Sequence, residues 1–155
     1  MKKITRALSI CFALILLVGC GAKPTSFVAT INQADGSVST MHFEGMGDKA
    51  QTLTQTTTID VSSFGEEELS AMEGLLDDSK AEMQELIGDA KGATHEMFID
   101  GTSLVEIMTI DLTDSTSLDK LSTSGVLPLE GSTSAISMKA SKAGLEAAGY
   151  TITEE

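Results

Sequence analysis

The hydrophobic period of this chain changes twice, and those two changes limit the folds open to it. From Ser26 the residues alternate: Phe27, Ala29 and Ile31 stand between polar neighbours, Asp35-Gly36 follows, and Val38 to Glu44 alternates again. That is the pattern of a β-hairpin with one buried face. Gly45 to Asp48 supplies the next turn. The segment "QTLTQTTTIDV" then sets Leu53, Thr57, Ile59 and Val61 on one strand face and Thr52, Thr54, Thr56, Thr58 and Asp60 on the other. β-Branched residues at this density favour extended backbone.

Beyond Ser62 the period becomes 3.6. Leu69, Met72, Leu76, Met83 and Ile87 share a helical stripe, widened by Leu75 and Leu86, with acids between them. Ser63 and Glu66 have capping-box spacing, Glu66-Glu67-Glu68 suits the positive end of a helix dipole, and Gly88 is placed to end the helix. Gly74 interrupts the pattern at a cost of about 1 kcal/mol relative to Ala, which a close approach to the sheet would explain. Alternation returns in "ATHEMFID", turns at Asp100-Gly101 and continues in "SLVEIMTIDL". Ser115 to Leu121 reads as a short helix capped by Ser115 or Thr116, and Gly125 to Ser132 as a loop around Pro128. "SAISM" reads as a short last strand, and Ser141 to Ala148 as a final helix ended by Gly149. The expected architecture is α+β: an antiparallel β-sheet, two Asp-Gly hairpins plus extra strands, packed by one long amphipathic helix and two short helices.

What precedes this pattern is of another kind. Lys2, Lys3 and Arg6 open a basic start, Ala7 to Val18 is apolar, and Gly19-Cys20 ends the run. An apolar segment of this length suits a signal peptide and falls short of the ~20 residues a spanning helix requires. Leu17-Val18-Gly19-Cys20 resembles the bacterial lipobox, which implies cleavage between Gly19 and Cys20 and a diacylglycerol on the Cys20 sulfur. The division expected is 1–19 signal peptide, 20–25 lipidated Cys and short tether, and 26–155 a single α+β domain. By the same resemblance to known sorting signals, Gly21 after the modified Cys favours the outer membrane in a two-membrane host. The address is thus a cell membrane or outer membrane, on its extracytoplasmic side.

Cleavage would sharpen the charge. Three of the ten basic residues leave with the signal and none of the 23 acids does, so the chain from Cys20 carries a formal charge of −16. Phosphate binding by a nucleic-acid partner needs Lys and Arg to displace counterions, so that class is excluded. Attachment to a membrane rests on the acyl chains. Cys11 lies in the discarded segment and Cys20 is consumed by lipid, which excludes disulfides, thiol redox chemistry and Cys-ligated zinc.

The candidate chemistry is sparse. His42, Glu44 and His95 lie on strand segments, and residues two apart share a strand face. His42 and Glu44 could therefore face one cation, joined by His95 if their strands are neighbours, with zinc, copper or manganese suiting such N/O ligands. Half-buried or solvent-facing strand histidines account for the same residues more simply. "DLTDSTSLD" invites a calcium reading, but counting from Asp111 puts Thr116 and Ser122 where an EF-hand loop needs Gly and Glu. No Gly-x-Ser-x-Gly or His-Glu-x-x-His occurs. The residues imply no enzyme and no cofactor; the Thr52 to Thr58 face is the better candidate for partner contact.

The order of "FVATINQADGSVSTMHFEGMGDKAQTLTQTTTIDVSSFG", "GATHEMFIDGTSLVEIMTIDL" and "ISMKASKAGLEAAGYT" is similar to the YehR-type lipoprotein family. The shared features are Thr-rich strands, a Gly-x-x-His strand and an Ala-Gly-aromatic end. The resemblance implies a membrane-anchored domain of unknown function with a mixed antiparallel-sheet and helix fold, and carries no active site with it. The expectation is a lipid-anchored cell-envelope module, non-catalytic, for binding or support. The alternative is an extracytoplasmic binder of a metal or small ligand.

Overall fold

A computed structural model describes residues 22–88, 90–127 and 136–154. In chain order the elements are β1 (Pro24–Asn32), β2 (Val38–Met46), β3 (Lys49–Asp60), α1 (Glu66–Ile87), β4 (Ala93–Asp100), β5 (Ser103–Asp111), α2 (Ser115–Thr123), α3 (Met138–Ala147) and β6 (Thr151–Glu154). The strands form one six-stranded sheet in the order β4-β5-β3-β2-β1-β6, antiparallel throughout. The fold is α+β, an antiparallel sheet with three helices.

Register explains which residues are buried. Phe27 pairs with Phe43, Phe43 with Leu53, Leu53 with Ile110 and Ile110 with Ala93, a row of side chains crossing five strands on one face. Phe27 and Phe43 stack with ring centroids 4.9 Å apart. The helices cover this face. Leu118 and Leu121 of α2 and Met138 of α3 are buried in the same core, together with Ile87 at the end of α1. The alternate residues look outward from the uncovered face, as the period of two requires.

Turn chemistry sets the strand pairing. Gly36 and Gly101 adopt φ of 87° and 60° at the tips of the β1–β2 and β4–β5 hairpins, a backbone region open to Gly without penalty. The β2–β3 register shifts between Glu44 and Gly45, where a methyl group on Gly45 would run into the Lys49 carbonyl oxygen.

Several local expectations need correction. The N-cap of α1 is Gly65, whose N–H donates to the Glu68 carboxylate at 2.8 Å, so the capping residue lies two positions beyond Ser63. Gly74 has open space around it and no close approach to the sheet. On α1, Leu76 and Ile87 are buried but Leu75 is 65% exposed, because the helix lies over the edge strand β4 and its contact stripe is narrow. Asp114 caps α2, accepting the Thr116 N–H at 3.1 Å; a carboxylate so placed serves better than the hydroxyl of Ser115 or Thr116. Met138 begins α3, with Ser137 as N-cap and a single bridge from Ser137 to Lys49, in place of a strand through "SAISM"; residues 134 and 135 lie outside the described residues, as does the Pro128 to Ser132 part of the expected loop. β6 was not expected: Thr151 to Glu154 pairs with β1 and closes that edge. Strand pairing also begins earlier than Ser26, at Pro24 opposite Met46.

Candidate functional site

The strand registers scatter the residues that invite a metal reading. His42 lies in the row Val28–His42–Thr54–Thr109–Thr94 on the uncovered face, with Glu44 two residues along on the same face. His95 lies on the helix-covered face in the row Met41–Gln55–Met108–His95. Its side chain is 3% exposed, and its Nε2 is 2.9 Å from Glu106 Oε1. Three strand spacings of about 4.8 Å separate β2 from β4, and the two imidazoles are on opposite faces besides. His42, Glu44 and His95 therefore do not converge on one ion. Among the described residues no group of three His, Cys, Asp or Glu side chains is placed to hold a metal.

The threonine face is wider than one strand. Thr52, Thr54, Thr56 and Thr58 of β3 share it with Thr40 of β2 and Thr109 of β5. Val105, Ile107 and the 39%-exposed Phe98 add an apolar corner toward β4 and β5. Such a face offers hydroxyl donors and acceptors at strand spacing with few formal charges.

On the covered side α1 lies toward β4 and α3 toward β1 and β6, which leaves a groove over the central strands. Its floor is Met41, Phe43, Leu53 and Gln55, and Ser141, Gly144 and Leu145 of α3 form one wall, around a hollow of about 310 Å³. A second hollow of about 310 Å³ adjoins it through Gln55, Val126 and Leu127 and reaches Met83 and Leu86 of α1. Leu127 and Ile136, which flank the segment 128–135 outside the described residues, both contribute to the groove region. Alternation in the sequence exposed the floor residues, but not the gap between the helices, because helix placement is set by packing.

Near the start of β1, Asp48 ties the β2–β3 turn to the start of α3. Its carboxylate accepts from the Ser137 hydroxyl at 3.0 Å and the Lys139 N–H at 2.8 Å, and its carbonyl oxygen accepts the Met138 N–H at 2.9 Å. Those donors, the Lys139 N–H first and the Ser137 hydroxyl next, hold the Asp48 carboxyl below its ordinary value. Lys142 pairs with Glu154, which raises the one and lowers the other. Beside them the Gly47 N–H donates to the Lys23 carbonyl at 2.8 Å, so the chain is held in place from Lys23 onward. Among the described residues no helix is long and apolar enough to cross a membrane.

Comparison with the curated proteins gives no match. Two solved structures share the fold. The NMR structure of the E. coli YehR protein is 21% identical, with a TM-score of 0.56 over 87% of this chain and 93% of that one. The NMR structure of a protein from Streptococcus pneumoniae TIGR4 is 13% identical, with a TM-score of 0.51 over 84% of this chain and 85% of that one. Residues 25–151 match the family described as "Protein of unknown function (DUF1307)", and the chain belongs to that family.

Proposed function

We propose that this protein is a cell-envelope lipoprotein, anchored through acyl chains on Cys20 and acting as a non-catalytic binding or supporting module on the extracytoplasmic side. One observation carries the reading. The apolar run ends at Cys20, and strand pairing begins at Pro24, so the proposed anchor and the domain are separated in the sequence by only Gly21, Ala22 and Lys23. Two or more acyl chains hold a protein stably at a bilayer where one is marginal, and no helix among the described residues is long and apolar enough to cross one. Growth with a clickable fatty acid tests the reading. The intact chain should take up the label and the Cys20→Ala chain should not; equal labelling of both would overturn it.

A second reading, binding of a small apolar ligand, is favoured by the groove over Met41, Phe43 and Leu53, whose size falls at the small end of ligand pockets. A fatty-acid series that raises the melting temperature in proportion to chain length would support it. No shift across the series would remove it.

A further inference from the structure

We propose that the end of the sheet where β1 begins is a membrane-contact surface, on which Lys23, Lys49 and Lys139 meet the phosphates of anionic lipid while the acidic opposite end points away. The proposal rests on the anchored reading and adds to it an orientation and a partner chemistry. Its first support is where the chain enters the fold. From Cys20 to Pro24 is four residue steps, at most roughly 14 Å when fully extended, and the Lys23 carbonyl is already bonded to the Gly47 N–H. An acylated Cys20 would hold this end of the sheet at the headgroups.

The second support is the distribution of charge. Seven lysines follow Cys20. Lys23 precedes β1, Lys49 opens β3, and Lys139 and Lys142 lie in α3, whose start is joined to Asp48. Lys139 and Lys142 line, with Pro24 and Thr25, a cleft of about 600 Å³ facing this end. Lys23, Lys49 and Lys139 are exposed. Of the acids at this end, Glu154 is paired with Lys142, Asp48 is held by the Ser137 hydroxyl and the Lys139 backbone N–H and keeps its charge, and Asp111, which accepts the Thr113 N–H at the end of β5, and Glu44 are exposed. The other end of the sheet carries Asp35, Asp60, Glu66, Glu67, Glu68 and Asp100 and no lysine.

Strands of this length separate the two ends by about 30 Å at ~3.3 Å per residue, three times the ~10 Å Debye length at 0.1 M salt. The formal charge of −16 is therefore not what the bilayer feels. The near end presents lysines to the lipid phosphates, and the far acids lie beyond the reach of the surface potential, which repels any orientation that brings them down.

The test uses the full chain purified from its own membranes and reconstituted into vesicles of phosphatidylcholine alone or of phosphatidylcholine and phosphatidylglycerol at 3:1. An amine-acetylating reagent is applied, and each lysine's modification rate is read by mass spectrometry, with the mass of the N-terminal peptide read from the same sample. Lys49 and Lys139 should react at least threefold more slowly on the anionic vesicles, and the difference should vanish in 1 M salt. Lys80, paired with Asp77 on α1, should not change. An acylated Cys20 with equal rates on both vesicles would overturn this proposal and leave the anchor standing; an unmodified Cys20 in a chain that does not float with vesicles would overturn both.

Discussion

At the residue scale, single groups fix geometry that the hydrophobic pattern leaves open. Gly45 is needed because the β2–β3 turn brings the Lys49 carbonyl oxygen to where a side chain would start. Gly45→Ala should cost roughly 1–3 kcal/mol, as overpacking does elsewhere, read as a drop in the urea midpoint with an unchanged slope; an unshifted midpoint would mean the turn opens freely. Asp48 carries a pH signature. Its carboxyl lies below the ordinary value of about 3.8 because it accepts from Lys139 N–H and Ser137, so its stabilising effect is fully present above the unfolded value and is lost as pH falls through the lower folded one. Asp35, Asp60 and Asp114, bonded to Ser37, Ser62 and Ser117, shift in the same direction and share the acid limb. Asp48→Asn should lower the melting temperature at neutral pH, and the gap from the parent should narrow on acidification to about pH 3. A gap that widens with acid would contradict this.

At the scale of elements, α1 separates what a helical stripe says from what packing decides. Leu76 is 7% exposed and Leu75 65%, though both belong to the apolar pattern. Leu76→Ala should cost about 2–5 kcal/mol and Leu75→Ala no more than about 0.5 kcal/mol, compared by chemical denaturation. Similar losses at both positions would mean that α1 is rotated about its axis. The paired strands and the long helix were legible because Phe27, Phe43 and Leu53, and separately Met83 and Ile87, repeat at periods that only one backbone geometry satisfies. The caps were less so: Gly65 and Asp114 compete with neighbouring Ser and Thr of similar propensity. β6 was hidden because Thr151 to Glu154 is too short and polar to signal a strand, and it is extended by pairing with β1. The metal-like trio failed for a topological reason, since β3 and β5 come between the strands of His42 and His95.

At the scale of the whole molecule, on this account the proposed anchor is separable from the fold. The described fold begins at the Lys23 to Gly47 hydrogen bond, so a chain starting at Ala22 keeps every ladder partner and every core residue. It should melt cooperatively, and without acyl chains it should float poorly with neutral vesicles. Failure to melt cooperatively would show that the upstream residues do more than tether. The central claim is that Cys20 carries the lipid, and the mass of the N-terminal peptide of the protein extracted from its native membranes tests it most directly. The account predicts a peptide that begins at Cys20 and bears a diacylglycerol, with or without a further acyl chain on the new amino terminus. A peptide that begins elsewhere, or an unmodified Cys20, would contradict it.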